Sequence, residues 1–124
     1  MRFNLNTLEF EDLNHDVDKL AIAGSDGEIS WKKLKEKVGE LCEVFQKAGI
    51  PKGHPVCIYG HKEYMFPVAM LACIKANLPY VPIDTIMPEE RVKKIKAITG
   101  SEVLICTGDA GADLDFKVKI NKTL

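Results

Sequence analysis

Two short turns are the places where backbone N–H groups could gather around a phosphate. Gly60-His61-Lys62 follows one apolar run and precedes a helical one. Thr107-Gly108-Asp109-Ala110-Gly111 follows another. A phosphate cradle needs several glycines so that successive N–H groups can point inward. The first turn has one glycine, and the second carries Asp109, whose charge repels phosphate. Neither fits a phosphate-loop or dinucleotide fingerprint, so each reads as a plain surface turn. Cys57 and His61 are four residues apart, the spacing of a possible thiol–imidazole pair. A thiol nucleophile needs a base and a setting that stabilises the thiolate. Cys57 instead lies inside an apolar run, which makes it a core residue, with His61 beyond the strand's end.

The other candidates have equally ordinary readings. Arg91, Lys93, Lys94 and Lys96 form a basic run that could meet nucleic acid. They interleave with Val92, Ile95 and Ile98 at helical spacing, and Glu89 and Glu90 partly cancel their charge. The solvated face of an amphipathic helix explains the pattern. Cys42, Cys57, Cys73 and Cys106 are isolated among apolar residues, without Cys-x-x-Cys pairs. They read as small core residues rather than as a disulfide framework or metal site. His15, His54 and His61 lack metal-ligand spacing. No paired carboxylates sit in apolar surroundings suited to acid–base work. The residues by themselves therefore nominate no catalytic, cofactor-binding or metal-binding position.

The elements that would hold such residues are clearer. Leu20–Ala23 and Ile29–Trp31 flank Ser25-Asp26-Gly27-Glu28 and read as a β-hairpin, since Asp-Gly is a strong turn signal. Ser30 is suited to cap a helix whose apolar positions are Leu34, Val38, Leu41, Cys42 and Phe45. Gly49 and Pro51 stop it. Pro55–Tyr59 reads as a buried strand and Glu63–Ala76 as a helix apolar nearly all round, with Pro67 tolerated in its first turn. Tyr80–Ile83 is a strand that Pro82 assigns to an edge or a bulge. Pro88 opens a third helix at its first position, with Glu89 and Glu90 at the positive end of its dipole. Val92, Ile95 and Ile98 form its apolar stripe and Gly100 its end. Val103–Cys106 is a strand, and Phe116–Ile120 alternates as an exposed strand would. Residues 1–18 read as a short helix or an arm. This alternation specifies an α/β fold, a layered and largely parallel sheet with flanking helices and right-handed crossovers.

Length and composition agree with one domain over residues 1–124. A polar arm spans 1–19, an α/β core 20–107, and a loop with an exposed strand 108–124. The chain has 124 residues, 46% hydrophobic and 28% charged, with net charge -1. That balance gives no general attraction to nucleic acid or anionic lipid. The longest apolar stretch, Met65–Ile74, is too short to span a bilayer. The first residues carry no apolar signal core, so a cytoplasmic location is expected.

Five segments, in order and in register, resemble the adenylate-forming (AMP-binding) enzymes. They are Ile29-Ser-Trp-Lys-Lys-Leu34, Ala48-Gly49 with Gly53-x-x-Val56, Ile74 to Asp84, Pro88-Glu89-Glu90-Arg91, and Val103-Leu104-Ile105. Within that superfamily, Ile58-Tyr59-Gly60-His61-x-Glu63 is similar to a motif of the D-alanine–D-alanyl carrier protein ligases. The resemblance implies the N-terminal subdomain of such an enzyme. It implies ATP and Mg²⁺ for the whole enzyme, D-alanine as the acid activated, and a carrier protein whose phosphopantetheine thiol receives it. Teichoic-acid D-alanylation is the implied purpose. In the family, the phosphate-clamping loop, the substrate aspartate and the lid-domain lysine all come further along than the region matched here. No family catalytic residue therefore maps onto this sequence, and the chain alone is expected to bind ATP weakly or not at all. Gly49, Pro82, Asp84 and Pro88 read as architectural. Asn77 replaces the family's usual glycine, which Asn's tolerance of left-handed geometry allows. Two alternatives remain: a peptide-synthetase or acyl-CoA synthetase piece, and a non-catalytic association module whose sheet edges favour self-association.

Overall fold

The computed structural model describes residues 3–4, 9–10, 19–111 and 113–121. Phe3–Asn4 (β1) pairs antiparallel with Glu9–Phe10 (β2), so these four residues are extended rather than helical. Apart from Lys19, the rest of the expected arm lies outside the described residues. Leu20–Gly24 (β3) and Gly27–Ser30 (β4) form the hairpin. Gly24 pairs with Gly27, so the two-residue loop is Ser25-Asp26 rather than Asp26-Gly27. Trp31, expected to close the second strand, starts the first helix instead.

That helix, α1 (Trp31–Lys47), is capped as its sequence requires. The Lys33 N–H donates to Ser30 Oγ at 3.2 Å. Its buried residues are Leu34, Val38, Leu41 and Phe45. The chain then runs through Val56–Gly60 (β5), Met65–Lys75 (α2), Tyr80–Asp84 (β6), Glu89–Thr99 (α3), Val103–Cys106 (β7) and Val118–Asn121 (β8). The four later strands are all parallel, in the order β6-β5-β7-β8. Pro82 therefore sits on an edge strand, where a missing N–H costs least.

The order explains the layering. The chain steps one way from β5 to β6, then back across β5 to β7. Crossovers of one hand must then place α2 and α3 on opposite faces. The side chains show this directly. Val56, Ile58, Val103 and Ile105 pack with residues of α1 and α2. Cys57, Leu104, Cys106 and Ile83 pack with Val92 of α3 and with Leu114 and Phe116. Strand alternation has split one sheet between two cores.

Three details differ from the sequence reading. Pro88 is the cap of α3 rather than its first helical residue. Ile98 was placed on the apolar stripe but is 84% exposed, because α3 turns only a narrow face centred on Val92 to the sheet. β8 begins at Val118, not Phe116, and Phe116 and Ile120 are buried while Lys117 and Lys119 are exposed. Asn77 does take the left-handed conformation, at φ 58°.

These burials give a direct check by denaturant unfolding. Leu41→Ala should cost about 3 kcal/mol, as large-to-small changes in a filled core do. Ile98→Ala should stay within roughly 0.5 kcal/mol.

Candidate functional site at the carboxyl end of the sheet

In open α/β sheets, ligands sit beyond the carboxyl ends of the strands where the strand order reverses. Here that point lies between β5 and β7. Two turns leave it in opposite directions: Gly60-His61-Lys62-Glu63 toward α2 and Thr107-Gly108 toward β8. These are the two turns that sequence reasoning weighed separately as phosphate cradles. The sheet makes them neighbours.

The space between them is already filled by a side chain of the protein. Glu63 Oε1 accepts from the Thr107 hydroxyl at 2.8 Å and from the His61 N–H at 3.0 Å. Thr107 is buried, and its N–H donates to the Tyr59 carbonyl at 3.0 Å. A Cβ on Gly60 would overlap Thr107 Oγ1 and approach Glu63 Oε1 to 2.8 Å, so only glycine fits there. The Glu63 carboxylate also lies 3.1–3.4 Å from where a Gly108 Cβ would stand. A phosphate would need this same position, with these same donors. A phosphate bound to these donors would have to displace the Glu63 carboxylate.

Three other segments fix the Gly60–Tyr64 loop. From β6, the Asp84 carboxylate lies 3.0 and 2.9 Å from His61 Nδ1. A carboxylate only accepts, so Nδ1 carries the proton. The Thr85 N–H donates to the Gly60 carbonyl at 3.0 Å. From the hairpin, the Ser25 N–H donates to the Lys62 carbonyl at 2.9 Å, and Asp26 Oδ1 accepts from the Tyr64 N–H at 3.0 Å. Gly24 lies so close to this loop that a Cβ would overlap the Tyr64 nitrogen. From α1, the Lys37 ammonium stands 5.8 Å from the Tyr64 ring centre.

The remaining sequence candidates are separated or paired. Cys57 is buried and His61 is engaged by Asp84, so the structure does not form a thiol–imidazole dyad. Burial pushes the Cys57, Cys42 and Cys106 thiols up, and pushes Cys73 up to about 12. In the basic run, Lys93 meets Glu89 at 3.7 Å. Lys96 donates to the Asp115 carbonyl and lies 5.0 Å from the Phe116 ring centre. A groove of about 360 Å³, lined in part by Cys42, Phe45, Lys52 and Lys75, opens at the amino ends of β5 and β6. It is at the opposite end of the sheet from the turns. Among the described residues no three His, Cys, Asp or Glu side chains gather to hold a metal. No described helix is long and apolar enough to cross a membrane.

Sequence reading missed the Glu63–Thr107 and His61–Asp84 contacts, because each joins residues far apart in the chain. A signal was present. Parallel neighbours end side by side, so Gly60, Asp84 and Thr107 fall together once β5, β6 and β7 are placed in one sheet.

A doubly wound parallel sheet with its carboxyl-end turns bolted together in this way defines an α/β subdomain. The chain belongs to the AMP-binding enzyme family, whose model matches residues 10–123. It is 29% identical over 98 residues to the D-alanine–D-alanyl carrier protein ligase of Bacillus licheniformis, covering 79% of this chain and 19% of the relative. It is 31% identical over 88 residues to the same-named ligase of Bacillus cereus (strain G9842), covering 71% and 18%. The chain thus spans about a fifth of the length of these relatives. Among solved structures, the peptide synthetase FmoA3 aligns with a TM-score of 0.77 at 18% identity, over 85% of this chain and 12% of that one. The N-terminal subdomain of NpsA from Klebsiella oxytoca aligns at 0.69 and 22% identity, over 85% and 26%. These two likenesses establish the fold: that of part of the N-terminal subdomain of adenylation domains.

Two measurements check the electrostatics. The Ile86 N–H, 3.0 Å from Asp84 Oδ1, is the main cause holding the Asp84 carboxyl below its ordinary value; desolvation opposes it, and His61 and Lys62 add to the lowering. A carboxyl with a depressed folded-state pKa stabilises the fold above its unfolded pKa. That contribution is lost as pH falls through the folded value. Carboxyl carbon NMR should place the Asp84 midpoint below 3.8, and Asp84→Asn should remove this acid-side dependence. In alkylation with iodoacetamide at pH 8, Cys73 should react only after unfolding.

Proposed function

We propose that this chain is the N-terminal part of a ligase that activates D-alanine. In that reaction a D-alanine carboxylate oxygen attacks the α-phosphorus of ATP. D-alanyl-AMP forms and pyrophosphate leaves, with Mg²⁺ neutralising the phosphate charge. The thiol of a carrier protein's phosphopantetheine then attacks the acyl carbon, forming a thioester and releasing AMP. Teichoic acid, or a related envelope polymer, is the proposed destination.

The observation that carries this reading is the Ile58-Tyr59-Gly60-His61-x-Glu63 segment. It resembles the D-alanine ligases, and in this fold it forms the turn on which β6, β7 and the hairpin converge. The D-alanine ligase relatives, matched over about four-fifths of the chain, support it. The carrier protein as acceptor rests on the names of those relatives and on an NpsA solved as an artificial adenylation–PCP fusion with ThdA. The chain's own contribution is architectural: it shapes one wall of the enzyme and supplies none of the groups that clamp phosphate. The slot held by Glu63 supports that division of labour.

The test is ATP–pyrophosphate exchange by the polypeptide that carries this chain. Exchange should depend on D-alanine and be weaker with L-alanine. Exchange driven by an aryl or fatty acid and not by D-alanine would sink the substrate assignment. Calorimetry on residues 1–124 alone should give no micromolar ATP binding, and such binding would overturn the architectural role.

A further inference from the structure

We infer that Glu63 is a positioning residue. Its carboxylate is a built-in anion that fills the slot between the two carboxyl-end turns and sets the Thr107–Gly111 segment over β5 and β7. This rests on the adenylating reading above.

The geometry is that of an anion site with the anion supplied in cis. One hydroxyl and one backbone N–H converge on a single carboxylate oxygen, at 2.8 and 3.0 Å. Charge-assisted bonds of this kind are stronger than neutral ones. The two adjoining glycines leave no side chain in the way. Glu63 itself is anchored through its backbone, since its carbonyl accepts from the Phe66 N–H at 3.1 Å at the start of α2. Thr107 is anchored by its N–H to the Tyr59 carbonyl. The carboxylate therefore bridges two fixed points, one on each side of the place where the strand order reverses. Beyond Thr107, Gly111 takes φ 103° and lies where a Cβ would stand 3.0 Å from the Tyr59 ring, so the segment closes over the end of β5. Losing the carboxylate removes the side-chain bridge between the two turns. It leaves the buried Thr107 hydroxyl only a longer contact of 3.4 Å, to the Tyr59 carbonyl.

The donors that a phosphate would use between these turns are engaged by the Glu63 carboxylate.

The experiment is Glu63→Ala in the full ligase, with chemical rescue by formate. Pyrophosphate exchange should fall about tenfold or more in kcat/KM, the scale on which displaced site walls act. Formate should enter the vacated slot and restore several-fold of that loss, while chloride at equal ionic strength should not. Glu63→Gln keeps an oxygen acceptor for Thr107 and His61 but loses the charge, and should fall between Glu63→Ala and the wild type. Thr107→Val should reproduce the loss and Thr107→Ser relieve it. A Glu63→Ala enzyme with wild-type kcat and KM overturns the inference. So does a loss that neither formate nor Gln repairs, since that is general destabilisation. If the wild-type enzyme shows no D-alanine exchange, the proposed function fails by itself. The slot is then read from thermal unfolding: formate should raise the Tm of Glu63→Ala and leave the wild type unmoved, and no such rise overturns the slot.

Discussion

The structure depends on β5 being covered on both faces. Val56, Cys57 and Ile58 are completely buried, flanked in the sheet by β6 and β7 and sandwiched between the two cores. A strand in that position can carry no free polar side chain, because an unpaired polar group there costs more than it returns. Everything with chemical character is therefore displaced to the strand's ends. At the amino end the Ser101 hydroxyl donates to the Pro55 carbonyl at 2.8 Å, and the Glu102 N–H to His54 Nε2 at 3.1 Å. At the carboxyl end come Gly60, His61 and Glu63. The same burial explains the cysteines, which behave as small apolar side chains with raised pKa values rather than as nucleophiles.

The sheet then converts sequence distance into proximity. Parallel strands of similar length end at one level, so the turns after β5, β6 and β7 meet whatever their separation in the chain. Glu63 and Thr107 are 44 residues apart, and His61 and Asp84 are 23 apart. The contacts that bolt these turns together are polar and half-exposed, while the contacts that align the strands are apolar and dry. Alignment comes from the core, and the finer setting of the turns comes from a few charge-assisted hydrogen bonds.

Much of this was legible in the sequence, for local reasons. Ser30, Gly49, Gly100 and Asn77 act through their own backbone or a neighbour three residues away, so their roles follow from residue type. Pro82 was readable as an edge residue because a missing N–H is a property of the residue alone. Ile98 was misplaced because periodicity shows that a helix has an apolar side, but not how wide a face its partner covers. The alternation at 116–120 gave the covered apolar phase and the exposed lysines correctly, but not the strand's start, which is Val118 rather than Phe116. The carboxyl-end network was hidden for a different reason. Its members are ordinary polar residues whose pairing exists only after the strand order is known.

The contacts between the hairpin and the Gly60–Tyr64 loop have a kinetic side as well. The loop from Gly60 to Tyr64 takes its shape from Asp26, Asp84 and Thr107, three anchors spread over most of the chain. Closing such distant contacts costs chain entropy that nearby contacts do not. The helices and the β3–β4 hairpin can form early from local signals, but this loop cannot be set before the strands have assembled. The stretch of sequence that most resembles one enzyme group thus owes its shape to contacts that exist only once the strands lie side by side.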